Sequence, residues 1–320
     1  MWKTIIRRIL IMIPQLFVLS LLIFIMAKFM PGDPFTGLVT PDTDPNRIEE
    51  LRIQAGFYDP WYEQYYRWIT NALQGEFGDS YSFQVKVSTL IGERGLNTLW
   101  LSLLSVTLLY AIAIPLGIIA GRYQNSLPDK LIVLYSFISY AIPTFVLALI
   151  FLFLFGYQYP IFPTSGTVDV QYDPGTWGYF WSKVYHLLLP AITYAILGTT
   201  TIIQYLRTEI IDAKRMDYVK TARSKGIPIS KVYTKHIFRN SLLPIAAFFG
   251  FTITGLLGGS VFIETIFGFP GMGQLFINAI SARDYSVITA LVMLFGFLTL
   301  VGSLLSDIIM SIVDPRIRIE

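Results

Sequence analysis

The stretch Leu187-Leu-Leu-Pro-Ala-Ile-Thr-Tyr-Ala-Ile-Leu-Gly-Thr-Thr-Thr-Ile-Ile-Gln-Tyr-Leu206 decides the fold, because it contains no Asp, Glu, Lys, Arg or His. Five further runs share this property: Leu10–Ala27, Trp100–Gly121, Leu131–Tyr159, Leu242–Ile263 and Tyr285–Ser306. Crossing the hydrocarbon core takes roughly 20 apolar residues in a helix, and in a helix the backbone satisfies its own hydrogen bonds in lipid. With 54% hydrophobic residues, the sequence predicts an all-α polytopic membrane protein with six transmembrane helices.

The distribution of basic residues predicts that both termini are cytoplasmic. If the N-terminus lies inside, the inner segments contain sixteen Lys and Arg and the outer segments contain eight. Basic residues in short loops favour the cytoplasmic side, and Arg7, Arg8 and Arg122 agree with this orientation. Lys28-Phe29-Met30-Pro31 is not a small-residue cleavage site, so we expect a retained first helix rather than a secretory signal.

We divide the chain into three parts. Residues 1–30 comprise the cytoplasmic N-terminus and the first helix, and residues 31–98 form an extracytoplasmic helical subdomain. Residues 99–320 form a five-helix core that contains a cytoplasmic loop at 207–241.

The outer subdomain has helix-boundary signals and an aromatic cluster. Asp44-Pro45 and Asp59-Pro60 each resemble an N-cap followed by proline at the first helical position. Gly56 and Gly75 are expected to end helices. Two interpretations of the aromatic cluster, which includes Trp61, Tyr65 and Trp68, stay open: a belt at the level of the lipid headgroups, or a surface over the pore mouth that meets a delivery protein.

The sequence lacks the residues that catalysis or ion coupling would need. It has no cysteine, and its two histidines, His186 and His236, fall on opposite faces of the membrane in this topology, so no metal site is expected. It has no phosphate-binding Gly-x-x-x-x-Gly-Lys-Ser/Thr loop and no protease motif. Lys28, Glu264 and Asp307 lie at helix ends, whereas ion-coupled carriers bury such groups within their helices. We therefore expect a non-catalytic chain without its own cofactor and without a nucleic-acid partner.

The segment Arg207–Asn240 is a basic insert between two apolar runs. It carries nine Lys or Arg against three Asp or Glu. Residues from about Thr208 to Lys225 are predicted to be helical, with Gly226 as the stop and Pro228 at the start of another helix. The pattern predicts an elbow that projects into the cytoplasm. Charge alone leaves two alternatives: a docking surface for a soluble motor, or a cationic helix or loop on anionic lipid.

The order of residues favours docking. Asp217-Tyr-Val-Lys-Thr-Ala-Arg-Ser-Lys-Gly226, followed by Pro244, resembles the cytoplasmic coupling loop of ABC importer permeases of the oligopeptide/dipeptide class. The broad importer signature begins Glu-Ala-Ala, whereas this chain has Lys220, Thr221 and Ala222. Peptide-class permeases resemble it in having a basic residue at the first place, although the role of Lys220 stays open. Further matching strings are Pro31-Gly-Asp-Pro34, Gly75-Glu-Phe-Gly-Asp-Ser80, Ala141-Ile-Pro-Thr-Phe145, His186-Leu-Leu-Leu-Pro190, Glu264-Thr-Ile-Phe-Gly-Phe-Pro-Gly-Met-Gly273, Arg283-Asp-Tyr285 and Asp314-Pro-Arg-Ile-Arg318.

The resemblance implies a type I importer fold in a bacterial cytoplasmic membrane. The long first outer loop is similar to that of the B-type subunit rather than the C-type subunit. The implied partners are a C-type permease subunit, two ATPase subunits that bind ATP and magnesium, an extracytoplasmic peptide-binding protein, the peptide substrate and membrane lipid. Dipeptides, nickel, glutathione and sugars remain possible substrates, and an ion-coupled transporter or a membrane scaffold is a more distant alternative.

The resemblance also implies roles for individual residues of the insert. Ala222 and Gly226 are expected to form the elbow seated in an ATPase cleft. Asp217, Arg223 and Lys225 would flank the elbow with polar contacts, and Pro244 would mark re-entry into the fifth helix.

Four glycines in the fifth run, at positions 250, 255, 258 and 259, are expected to allow close helix packing. The packing partner is either the second permease subunit or another helix of this chain.

Overall fold

The computed structural model describes residues 2–29, 49–50, 52–53, 56, 58–80, 82–257 and 260–313, without the side chains of residues 2–4, 243–244 and 246–247. The strings Pro31–Pro34, Asp44-Pro45 and Asp314–Arg318 lie outside these residues. The helices are α1 (Trp2–Phe29), α2 (Trp61–Leu73), α3 (Val87–Arg122), α4 (Leu127–Ala141), α5 (Thr144–Phe151), α6 (Trp177–Ala213), α7 (Asp217–Ser224), α8 (Leu243–Leu257), α9 (Val261–Ile266), α10 (Met272–Ala282) and α11 (Tyr285–Val313).

Five segments of the described chain are long and apolar enough to cross a membrane: Ile5–Phe29, Val87–Arg122, Trp177–Ala213, Phe248–Ile266 and Tyr285–Val313. The third predicted run is not one straight helix. It is divided into α4 and α5, which continues as a π-helical turn at Leu152–Gln158, and the two halves are bent by 99°. Counted together they give the sixth span.

The break between α4 and α5 follows from the Ile142-Pro143 pair. Proline has no backbone N–H and disfavours the helical conformation in the residue before it. Ile142 accordingly adopts an extended conformation with ψ 120°. The sequence could not indicate this bend, because the run contains no charged residue and because other prolines of the chain lie inside the continuous helices α1, α3 and α6.

Close helix contacts through glycine hold the bundle together. A Cβ atom at Gly121 of α3 would lie 2.7 Å from Ile210 Cβ of α6. One at Gly250 of α8 would lie 2.6 Å from the Gly302 carbonyl oxygen of α11. Gly250 therefore packs within this chain, which supports the second of the two alternatives for that position. Gly255 has no neighbour within 4 Å of such an atom, and residues 258 and 259 lie outside the described chain.

The first helix is attached to the last. Arg8 forms an ion pair with Asp307, with Nε and Oδ2 2.8 Å apart. Asp307 is not at the end of its helix as expected, because α11 continues to Val313.

The part predicted to lie outside the membrane contains α2, which begins differently from the prediction. Pro60 occupies the N-cap position, since its carbonyl oxygen accepts from Glu63 and Gln64. Asp59 instead forms an ion pair with Arg67 at 2.6 Å. Gly75 ends α2 with φ +79°, as predicted. The predicted subdomain boundary at residue 98 falls inside α3, which runs unbroken from the outer part into the membrane core.

Candidate coupling site

The basic insert forms an elbow of two helices rather than one long helix. α6 ends at Ala213, and α7 begins at Asp217 after a turn. The predicted single helix from Thr208 to Lys225 is therefore wrong, because Met216 is extended, with ψ 149°, and changes the direction of the chain. α7 is followed by a return segment, residues 229–241, in which Val232–Ile237 is π-helical.

Gly226 ends α7, as the sequence predicts. Its φ is +72°, in the left-handed region that favours glycine. Its amide donates to the Arg223 carbonyl at 2.9 Å, and the next amide, of Ile227, donates to the Ala222 carbonyl at 3.2 Å. These two bonds form a Schellman motif, which satisfies carbonyl groups that the helix end leaves free.

One face of α7 packs against this chain itself. Val219 and Ala222 belong to a buried cluster that also includes Val232 and Ile237 of the return segment. Ala222 is only 4% exposed. Its small side chain therefore packs within this chain, in the cluster shared by α7 and the return segment.

The opposite face of α7 is exposed and polar. Its exposed side chains are Asp217, Tyr218, Lys220, Thr221, Arg223, Ser224 and Lys225. Lys220 forms an ion pair with Asp217 at 2.9 Å, and this hydrogen bond lowers the pKa of Asp217. Both side chains are largely exposed, so the pair contributes little to stability. The four charged site residues predicted from the sequence thus share one surface with the Gly226 turn: Asp217, Lys220, Arg223 and Lys225.

A partly buried ion pair lies at the base of the elbow. Arg207 of α6 binds Asp129 of α4 with two parallel hydrogen bonds, Nε to Oδ1 at 2.6 Å and a terminal nitrogen to Oδ2 at 2.9 Å. The backbone amide of Asn125 donates to the same carboxylate, with its nitrogen 2.7 Å from Oδ2. Asp129 is buried. Paired, charge-assisted bonds of this kind fix both distance and orientation, so they hold α6 against the turn between α3 and α4.

Two further contacts attach the elbow to the C-terminal end of α3. Lys214 donates to the carbonyl oxygens of Gly121 at 2.7 Å and Arg122 at 3.2 Å. A cation is favourable at a helix C-terminus because of the helix dipole. Burial lowers the pKa of Lys214. On the other side, the Arg122 guanidinium lies 4.9 Å from the ring centre of Tyr233 in the return segment.

The sequence pattern alone did not identify Asp129, Arg207 and Lys214 as members of the site. A signal existed for Arg207, the first charge after an apolar run, and for Asp129, an acid in the first turn of a helix that begins Leu127-Pro128. Their pairing was not predictable, because they are far apart in the chain. The structure places Pro244 in the first turn of α8.

The end of the bundle away from the elbow, which the predicted orientation places outside, holds two buried carboxylates. Glu264 accepts from Thr98 Oγ1 at 3.0 Å and from the amides of Gly273 and Gln274 at 2.7 and 3.1 Å. Asp284 accepts from Ser80 Oγ at 2.5 Å and from the Ser82 amide at 3.2 Å. Two of the strings noted in the sequence are therefore in contact, through Ser80 and Asp284. A third is closed on itself, through the bond between the Gly273 amide and Glu264.

Comparison with known proteins gives the family. A profile described as "Binding-protein-dependent transport system inner membrane component" matches residues 113–319, and an N-terminal profile of the same system matches residues 1–95. An oligopeptide transport system permease protein of Bacillus subtilis is 38% identical, with 98% of each chain covered. A glutathione transport system permease protein of Escherichia coli K12 is 32% identical, with 99% of each covered.

A solved structure agrees with the fold. The MetNI methionine ABC transporter contains a chain that matches with a TM-score of 0.54 at 15% identity, over 70% of this chain and 96% of that chain. The helical architecture, the apolar spans and the full-length relatives agree: this chain belongs to the family of binding-protein-dependent transport system inner membrane components, the multi-pass permeases of ABC importers.

Proposed function

We propose that the chain is one of the two pore-forming subunits of an ATP-driven peptide importer and that its elbow couples the pore to a separate ATPase. The observation that carries the proposal is the division of α7 into a buried face, with Val219 and Ala222, and an exposed polar face. A helix fixed to its own chain along one side and open along the other presents a rigid docking surface.

The contacts at the base of the elbow support its role as a lever. Arg207, Lys214 and Tyr233 all meet the inner ends of α3 and α4. A displacement of α7 is then transmitted to α3 and α4 as well as to α6. ATP binding would close the ATPase subunits and move the elbow, and hydrolysis would reset it. This chain itself carries out no covalent chemistry.

The proposed complex contains a second, C-type permease, two ATPase subunits and an extracytoplasmic binding protein. The termini and the elbow are cytoplasmic, in keeping with the basic residues of the insert. Oligopeptides are the proposed substrate, because the chain is most similar, among the relatives described, to the oligopeptide permease. The similarity to a glutathione permease favours a second candidate, a small γ-linked peptide.

The test is uptake of a short labelled oligopeptide, and separately of glutathione, by cells with and without this chain. ATP and the proton gradient are depleted in separate samples. We expect uptake of the oligopeptide to be lost on deletion and on ATP depletion, and to persist when only the proton gradient collapses. Loss of peptide uptake when the proton gradient collapses, while ATP stays high, would contradict the ABC mechanism. Loss of glutathione uptake alone would retain the mechanism and change the substrate.

A further inference from the structure

The short outer helix α2 has three distinct faces. Tyr65 and Trp68 pack against Phe24 of α1, with ring centres 5.4 and 6.1 Å apart. Glu63, Arg67, Thr70 and Asn71 form a polar face. The third face is an apolar stripe at helical spacing, composed of Tyr62, Tyr66, Ile69 and Leu73. Tyr62, Tyr66 and Leu73 are 56%, 70% and 81% exposed, so the stripe is not covered by the described part of this chain.

The contacts between α2 and α1 show which way this stripe points. Gln64 accepts a hydrogen bond from Lys28, at the end of α1. Tyr65, the next residue, reaches much deeper, because its hydroxyl lies 2.8 Å from Ser20 Oγ and its ring 6.3 Å from Phe17. Ser20 precedes Lys28 by about 12 Å along the helix axis. The Gln64 side of α2 therefore faces away from the membrane centre, and the Tyr65 side faces toward it.

The stripe lies on the deep side. Successive residues of a helix are rotated by about 100°, so Tyr62 and Tyr66 each stand about 160° around the axis from Gln64. They point toward the membrane interior beside α1. At the depth of the Tyr65 contact, α1 itself exposes Val18 and Leu22, so the stripe continues an exposed apolar surface of α1.

We propose that α2 lies in the membrane–water interface and that its stripe binds lipid, at the boundary between headgroups and acyl chains. In the orientation proposed above, this is the outer leaflet. An amphipathic helix in this position buries its apolar face by roughly 5–10 Å, and tyrosine is favoured there because its ring is apolar and its hydroxyl is polar. The polar face, with the Asp59–Arg67 ion pair, is turned to water. The aromatic residues of α2 thus serve as a lipid anchor for the outer part and are not a docking surface for a delivery protein.

The absence of cysteine from the chain allows a direct test. Tyr66→Cys on the stripe and Asn71→Cys on the polar face, as the matched control, are labelled with bimane. The whole importer, with cysteine-free partner subunits, is placed in nanodiscs of phosphatidylethanolamine and phosphatidylglycerol. The quenchers are a doxyl-labelled phospholipid in the bilayer and iodide in the water. Leu73→Cys provides a second stripe position if Tyr66→Cys does not assemble.

We expect the stripe labels to be quenched several-fold more by the doxyl lipid than the control label, and several-fold less by iodide. Equal quenching by iodide at Tyr66→Cys and Asn71→Cys would overturn the proposal. Protection from iodide only after addition of the external binding protein would also overturn it, in favour of a protein docking surface. The measurement needs no transport activity, so its outcome is independent of the proposed function.

Discussion

The two ends of the helix bundle both contain buried carboxylates, but they satisfy them in different ways. At the inner end, Asp129 is held by the side chain of Arg207 on another helix. At the outer end, Glu264 and Asp284 are held by hydroxyls and backbone amides. At the inner end, a pair of opposite charges joins two helices. At the outer end, groups from loops and from the first turns of helices donate hydrogen bonds to each carboxylate.

This difference separates the proposed docking surface from a part of the bundle that is closed within the chain. Beside the inner pair, the charged side chains of α7 stay exposed. Beside Glu264, the surrounding groups are buried, and a Cβ atom at Gly273 would lie 3.1 Å from Glu264 Oε2. Substitutions at the outer end should therefore act on stability, and those at the inner end should act on coupling as well.

The largest effect is expected for Glu264→Ala. The change leaves the amides of Gly273 and Gln274 and the Thr98 hydroxyl without their acceptor in a buried site, and should destabilise the chain by about 3 kcal/mol. Thermal unfolding of the purified importer measures it. Glu264→Gln keeps a carbonyl acceptor and should therefore lose less stability than Glu264→Ala. Glu63→Ala, on the exposed face of α2, should leave the unfolding temperature unchanged. Equal stability of Glu264→Ala and the native chain would show that these bonds are replaced by water.

The next effect is expected for the Asp129–Arg207 pair. Arg207→Ala leaves a buried carboxylate without its cation, which we expect to cost about 2 kcal/mol, since the partly exposed arginine admits some water. The single variants Asp129→Ala and Arg207→Ala, together with the double variant, form a thermodynamic cycle. Additive losses would mean that the two residues do not cooperate. We expect the double variant to be more stable than the sum of the single losses predicts, and all three to hydrolyse ATP without matching uptake.

A smaller effect on stability, but a large one on coupling, is expected for Gly226→Val. A β-branched residue at φ +72° costs about 1–2 kcal/mol in backbone strain. Nothing lies within 4 Å of the added Cβ atom, so the change tests the turn rather than packing. ATPase activity should continue while uptake falls, with normal membrane insertion. Gly226→Asn, which tolerates the left-handed region, is the control, and full uptake by Gly226→Val would remove the elbow from the mechanism.

The smallest effect is expected at the exposed Asp217–Lys220 pair. Asp217→Asn should leave thermal stability unchanged within error, because solvent screens the pair. The lowered pKa of Asp217 fixes the sign of its pH dependence. Its contribution is present above the ordinary pKa of aspartate and is lost as the pH falls through the lowered value. Titration of the Asp217 carboxyl by NMR in the labelled importer checks this, and a raised pKa would contradict the ion pair.

Much of the architecture was predictable because lipid imposes a simple rule on sequence. Uncharged runs identified the spans that end at Phe29, Arg122, Ala213, Ile266 and Val313. Gly226 and Gly75 were predicted as helix ends, since their left-handed conformation favours glycine. The start of α2 was predicted wrongly: Pro60, in an extended conformation, occupies the N-cap position, and the Asp59 side chain pairs with Arg67 instead.

The candidate site was only partly predictable for a different reason. The exposed charges of α7 follow from local sequence, but the burial of Ala222 depends on the return segment that packs against it. The division of the third run at Ile142-Pro143 was also missed, since other prolines in this chain are accommodated inside helices.

The sequence by itself determined the membrane spans, the basic insert and the helix-ending glycines, because these depend on the polarity and backbone freedom of consecutive residues. Only the tertiary structure decided that Asp129 meets Arg207, that Ser80 meets Asp284 and that Tyr65 meets Ser20. Each of these contacts joins residues that are far apart in the chain. Such contacts depend on how whole helices pack, which no local sequence pattern encodes.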